Sequence, residues 1–228
     1  MLDLKDVTLS YRKKTILRDV NISAKPGEII GLLGMNGSGK STLLSAMAGV
    51  KKPAAGSILL HGKTYADDPK QYNSAIGYVT QENALIDELS AMDNLRLWTA
   101  MDKAAILDTL QNTNLSILGV HTYITLPVNS MSGGMKKRLS IATVLINKPG
   151  ILLLDEPFAA LDLVAKQDIL NFLFAFRAGG GLAVVASHDE KIFDFCNEVF
   201  LLKDGVCTSF RSLPENSTPA DLLRSTTV

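Results

Sequence analysis

Residues 34–41 read Gly34-Met35-Asn36-Gly37-Ser38-Gly39-Lys40-Ser41, after an apolar run at 28–33 and leading into a helical pattern at 40–49. No other segment restricts the fold so strongly. The octet fits G-x-x-x-x-G-K-[ST], a pattern that functions as strand, loop and helix in that order. The chemistry asks for these residue types. Gly34, Gly37 and Gly39 let backbone N–H groups turn inward and approach phosphate oxygens closely. The helix opening near Lys40 adds unpaired N–H groups and the positive end of a dipole. Lys40 would neutralise charge on the terminal phosphates, and the Ser41 hydroxyl would ligate Mg²⁺. Asn36 and Ser38 complete the cradle, and Thr42 follows on the same helix end. A glycine-rich turn that binds nothing is the bland alternative, and the strand–loop–helix order argues against it. Alone, the motif implies a nucleoside triphosphate and little more.

Apolar patterning supplies the fold class. Leu2, Leu4, Val7 and Leu9 alternate with polar residues, and 16–22 reads as a second strand. Lys25-Pro26-Gly27 is a turn signal, 28–33 a short buried strand, and Gly49 a helix stop. Further strands are expected at 57–60 and 76–80. From residue 82 to about 130 the pattern turns helical, and Ser90 with Asp93 resembles a capping box. Residues 102–110 continue the helical material. Helices at 135–146 and 163–176 then alternate with buried strands at 151–154 and 182–186, and residues 219–224 carry a short helical pattern. Buried strands alternating with helices predict an α/β fold with a mostly parallel sheet covered on both faces. The expected organisation is one nucleotide-binding domain over 1–228, with 82–148 as an inserted helical subdomain.

The strand at 151–154 ends in two carboxylates. Asp155 would hold Mg²⁺ directly or through water. Glu156 is placed to polarise an attacking water as general base. Read alone, the two are solvated loop charges or a helix cap. Beside the phosphate loop they complete one Mg²⁺–nucleotide site.

Composition sets outer bounds. Of 228 residues, 46% are hydrophobic and 20% charged, as in an ordinary globular protein, and 23 basic residues balance 23 acidic ones. No global charge draws the chain toward nucleic acid, though a local basic patch stays open. Cys196 and Cys207 form no CxxC, which suits thiols in a reducing compartment more than a disulfide. The opening MLDLKDVTLSY alternates and carries charge, unlike a signal peptide, and no apolar run reaches bilayer length. A cytoplasmic chain is expected.

Met131-Ser132-Gly133-Gly134-Met135 resembles the LSGGQ signature of ATP-binding cassette (ABC) ATPases, and the resemblance covers essentially the whole chain. The family has a P-loop NTPase core, an antiparallel β subdomain at its N-terminal end and an inserted α-helical subdomain. The resemblance implies ATP and Mg²⁺ as cofactors. It places Tyr11 as the aromatic stacking on adenine, Gln81 as sensor of the γ-phosphate and metal, Asp162 in the loop crossing the dimer interface, and His188 on the γ-phosphate. The bland readings are a strand aromatic for Tyr11, a surface residue for Gln81, a helix cap for Asp162 and a structural histidine for His188. Motif order favours the functional set.

Ser132, Gly133 and Gly134 open a helix whose first turn carries Lys136, Lys137 and Arg138. Those cations oppose the helix dipole, so either acidic neighbours compensate them or they form a solvated face. In the family, this signature closes over ATP held by a second nucleotide-binding domain, so a homodimer is implied. Membrane-spanning permease subunits on other chains are implied as partners, with the ATPase peripheral on the inner face of the cell membrane. Leu85, Ile86, Leu95, Leu97 and Trp98 are candidates for docking a permease helix or for the subdomain core. The run SGGMKKRLSIA resembles small bacterial exporters of drugs, peptides or lipids. A soluble ABC ATPase of iron–sulfur assembly is the alternative. The signature has Met131 and Met135 where Leu and Gln are common, with its Ser-Gly-Gly centre intact.

Overall fold

The computed structural model describes residues 1–12 and 14–212. Strands β1 (Leu2–Tyr11) and β2 (Lys14–Ala24), with β4 (Ala55–Leu60), form an antiparallel sheet in the order β2-β1-β4. The three-residue step from Leu4 to Val7 breaks strict alternation. A bulge absorbs it: register shifts between those residues, and Asp6 takes φ 51. Leu2, Leu4, Val7 and Leu9 therefore all reach the core beside Leu17, Val20 and Ile22.

The second sheet has six strands: β3 (Ile29–Leu33), β5 (Ile76–Val79), β6 (Ile151–Asp155), β7 (Leu182–Ser187), β8 (Glu198–Lys203) and β9 (Val206–Ser209). Their order is β5-β6-β7-β3-β8-β9, parallel throughout except for β9. Strands β3, β6 and β7 are buried along their whole length. Alternate residues explain why. Ile30, Leu32, Leu153 and Val184 pack toward the first sheet and helix α1 (Lys40–Met47), while Ile29, Leu33, Leu154 and Val185 face the helices on the other side. This is the α/β architecture the patterning predicts. Its parallel strands bring the carboxyl ends of β3, β5, β6 and β7 to one edge, where α/β sheets bind ligands.

Helix α2 (Pro69–Ala75) precedes β5. Between β5 and β6 lie α3 (Ala91–Trp98), α4 (Lys103–Asn112), three short 3-10 turns and α5 (Gly133–Leu145); α6 (Leu163–Ala178) follows β6. Ser90 caps α3 as its spacing with Asp93 predicts: its hydroxyl accepts from Asp93 N and donates to the Asp93 carboxylate. Helix α2 and strands β8 and β9 were not anticipated. Phe200, Leu201 and Leu202 make a short apolar run that periodicity cannot assign to strand or helix, and α2 announces itself only through the Asp68 cap and Pro69. The helical pattern at 219–224 lies outside the described residues.

Asn94, fully buried on α3, organises the path from β5 into this helix. Its carbonyl oxygen accepts from Ile86 N, and its amide donates to Ile86 O and Ser90 O. Asn94→Ala strands those buried backbone groups, so we expect a loss of about 1–3 kcal/mol in urea unfolding and faster proteolysis within 82–90.

Candidate functional site

The loop at 34–39 leaves β3 and enters α1 through Gly39, whose φ of 106° and approach to Leu17 (3.1 Å from an added Cβ) exclude other residues. Gly37 lies open, with nothing within 4 Å of where a Cβ would stand. Lys40 is 6% exposed, yet its ammonium is fully engaged. Nζ donates to Gly34 O (2.7 Å) and Met35 O (3.3 Å) and stands 3.3 Å from Glu156 Oε1.

Asp155 and Glu156 are 3% and 6% exposed. Successive strand residues point to opposite faces, so two adjacent carboxylates in a plain strand could not share a site. Here Asp155 ends β6, and Glu156 turns into the left-handed region (φ 47), anchored by its N–H to Ala186 O at 3.0 Å. That turn swings the Glu156 carboxylate between Lys40 and His188, whose Nδ1 is 3.0 Å from Oε2. Such backbone strain costs of order 1–3 kcal/mol and concentrates at functional sites. The aromatic pair Phe158–Phe195, 5.6 Å between ring centres, packs the loop that follows.

Burial pushes the Asp155 carboxyl above the usual carboxylate range, and the Glu156 charge adds to the effect. A hydrogen bond from Ser41 and the charges of Lys40 and Lys137 oppose it. Asp155 Oδ1 and Glu156 Oε1 are buried without a hydrogen-bond partner. An oxygen-rich set, with Asp155 touching Ser41 and one oxygen unclaimed, fits a hard cation such as Mg²⁺.

The other predicted residues are placed as follows. Gln81 is exposed just past β5, whose register sets Val79 beside Leu154. Thr80 and Gln81 leave the strand there, and their carbonyls accept from Lys137 Nζ. Tyr11 is exposed, with Lys51 Nζ 5.3 Å and the Arg12 guanidinium 5.8 Å from its ring centre. Lys51 was not singled out from sequence, because nothing there reveals that the end of α1 folds back beside β1. Asp162 caps α6, its Oδ1 accepting from Ala165 N at 2.8 Å. The bland reading of that residue thus holds as geometry, whatever further role it has.

Ser132 caps α5 and, like Gly133, is exposed. Gly134 is held to α6: an added Cβ would meet Ala165 Cβ at 2.7 Å. The three cations after it are not a solvated face. Lys136 pairs with Asp87 at 3.1 Å, Arg138 with Asp168, and Lys137 is buried. Acidic neighbours on other elements thus relieve the dipole conflict.

A family model for the ABC transporter matches residues 17–159. The chain belongs to the ABC transporter family. It is 35% identical over 207 residues to the lantibiotic transport ATP-binding protein SrtF of Streptococcus pyogenes, covering 88% of this chain and 87% of that one. It is 31% identical over 226 residues to the spermidine/putrescine import ATP-binding protein PotA of Spiroplasma citri, covering 97% of this chain but only 63% of that longer relative. Among solved structures, a dimeric ATP-binding cassette in a post-hydrolysis state with ADP and Pi superposes with a TM-score of 0.79 at 30% identity, covering 91% of this chain and 96% of that one. ABC transporter cassettes bind and hydrolyse ATP, and the fold expected from the signature is the one observed.

The raised Asp155 carboxyl gives a stability prediction for this ABC transporter cassette. A carboxyl whose folded pKa is raised costs stability when ionised. The cost is absent below its ordinary value of 3.8 and complete once pH exceeds the folded value. In EDTA, Asp155→Asn therefore melts higher than the native chain at pH 7, and the advantage disappears as pH falls below 3.8. A lower melting point at pH 7 contradicts this.

Proposed function

We propose that the chain is the Mg²⁺-dependent ATP-hydrolysing subunit of a membrane transporter whose membrane-spanning part is carried by other chains. The convergence of Lys40, Asp155, Glu156 and His188 at the carboxyl ends of β3, β6 and β7 carries this reading. The loop N–H groups and Lys40 bind the phosphates, with Asn36, Gly37, Ser38, Gly39 and Thr42 around them. Ser41, Asp155 and Gln81 hold the metal, and bound Mg²⁺ supplies neutralisation of the terminal phosphates beside two buried carboxylates. Glu156 takes the proton of the attacking water, and His188, held by the same carboxylate, orients on the γ-phosphate. Tyr11 stacks on the base.

Ser132 and Gly133 are exposed at the start of α5 with Gly134 buried behind them, and a helix N-terminus is a place suited to phosphate. They act in trans, on ATP held by a second copy, with Asp162 at the interface. Head-to-tail pairing gives two sites per homodimer, and the dimeric cassette relative supports that arrangement. Residues 82–148 act as one subdomain between nucleotide and membrane partner. Leu95 is buried and Leu85 packs against the core, so those two serve the subdomain. Ile86, Leu97 and Trp98 are exposed apolar residues and form the docking face for a permease helix. Docking places the chain on the inner face of the membrane. Export is favoured by the likeness to the lipopolysaccharide export system ATP-binding protein LptB of Acidithiobacillus ferridurans, matched over 87% of its length, against 63% for the import protein PotA. The substrate class follows from the permease.

Glu156→Gln should keep ATP binding while lowering turnover by about two to four orders of magnitude, and with Mg²⁺-ATP its solution mass should double. A native turnover rate removes Glu156 as the base; tight ATP binding by a lasting monomer removes the homodimer. Leu97→Ser with Trp98→Ser should abolish transport in the assembled transporter and leave the isolated chain's ATPase within about twofold of native, since surface substitutions rarely exceed 0.5 kcal/mol. Unchanged transport moves the docking face elsewhere.

A further inference from the structure

The proposed chemistry uses none of the three cations after the signature, and of the three only Lys137 is buried. Residues Gly134, Lys137, Ile141 and Leu145 recur at the three- and four-residue spacing of one helix face, and all four are buried. Lys137 is the only charge on that inward stripe, at 4% exposure. Burying an ammonium costs several kcal/mol unless hydrogen bonds and opposite charge offset it, and an apolar residue would fill the stripe without that cost. Both compensations are present. Nζ donates to Gln81 O at 3.0 Å and Thr80 O at 3.3 Å, and Asp155 contributes an attractive charge. Lys136 reaches Asp87 in the loop before α3 and Arg138 reaches Asp168 on α6, so Lys137 alone of the three reaches across to the strand end.

We propose that Lys137 is a positioning residue that fastens the Ser132–Gly134 end of α5 to the Thr80–Gln81 backbone, so that the side of the site holding Gln81 and the signature that serves the partner's nucleotide move as one unit. The inference rests on the proposed trans-acting signature and adds the link between its two halves. An α-helix rises 1.5 Å per residue, so Lys137 lies about 6 Å along the axis from Gly133, within one stiff element. Gly134 meanwhile touches α6 at Ala165. A shift of Gln81 is therefore delivered to Ser132 through Nζ without passing through the exposed loop at 82–90. The protein needs this link only for closure and hydrolysis, not for holding nucleotide on the phosphate loop.

The test uses the full chain, with a fluorescent ATP analogue for binding and steady-state hydrolysis of Mg²⁺-ATP. Lys137→Met keeps the stem and removes both donors. It should bind the analogue and show a KM within about twofold of native, while kcat falls about tenfold, the loss of about 1.4 kcal/mol from the closed state alone. Lys137→Gln restores one amide donor and should bring kcat back to within about threefold of native. A native kcat in both variants overturns the proposal, as does a parallel loss of binding, KM and melting temperature in both, which marks Lys137 as merely structural. Should the methionine chain not fold, the glutamine chain decides by the same split of kcat against KM. The parent reading fails separately: a native chain without Mg²⁺-ATPase activity, or a Glu156→Gln chain that hydrolyses normally, condemns the site assignment and not the link.

Discussion

Two carboxylates buried side by side at the end of one strand set the terms for everything around them. Asp155 and Glu156 lose most of their solvent, and burial together with the Glu156 charge raises the cost of ionising Asp155. The fold answers with charge and hydrogen bonds from three separate places: Lys40 and Ser41 from α1, His188 after β7, and Lys137 from α5. No single element could supply these groups. The parallel order β5-β6-β7-β3 supplies them, because it ends every contributing strand at the same edge. The left-handed turn at Glu156 then converts a strand's alternation into a convergent pair.

The same arrangement explains why the site is stable but not at its stability optimum. Lys40 is satisfied by its own loop and by Glu156, so phosphate must compete with those contacts, and the unclaimed Asp155 oxygen is an expense the fold carries in the interest of chemistry. Helix α5 shows a related trade. Its first two turns hold three cations near the positive end of the dipole, and two are paired with Asp87 and Asp168 from elsewhere in the fold.

Much of this was legible in the residues. Strand, loop and helix around Lys40 followed from glycine chemistry and apolar runs. The capping of α3, α5 and α6 by Ser90, Ser132 and Asp162 lies on side chains a few residues from their targets. What sequence could not give depends on long-range approach. The register that sets Val79 beside Leu154, the fold-back of Lys51 onto Tyr11, and the bond from Lys137 to Gln81 all join segments dozens of residues apart. Lys137 left one trace, a charge on an otherwise buried stripe, which becomes readable only once α5 is known to face the strand ends. Strand β8 escaped because its short apolar run carries no period of its own, and β9, Val206–Ser209, is shorter still and half polar.

The central claim is that each catalytic site takes its phosphate loop from one chain and its signature from another. Two inactive chains test it most directly: Lys40→Ala, which disables the phosphate loop, and Ser132→Arg, which blocks the exposed end of α5. Mixed in equal amounts, head-to-tail pairs contain one site with both halves intact. The account predicts that ATPase activity returns in the mixture, to about a quarter of native if pairing is random and sites act independently. Activity that stays at the level of either chain alone would contradict it and place both halves of the site within a single chain.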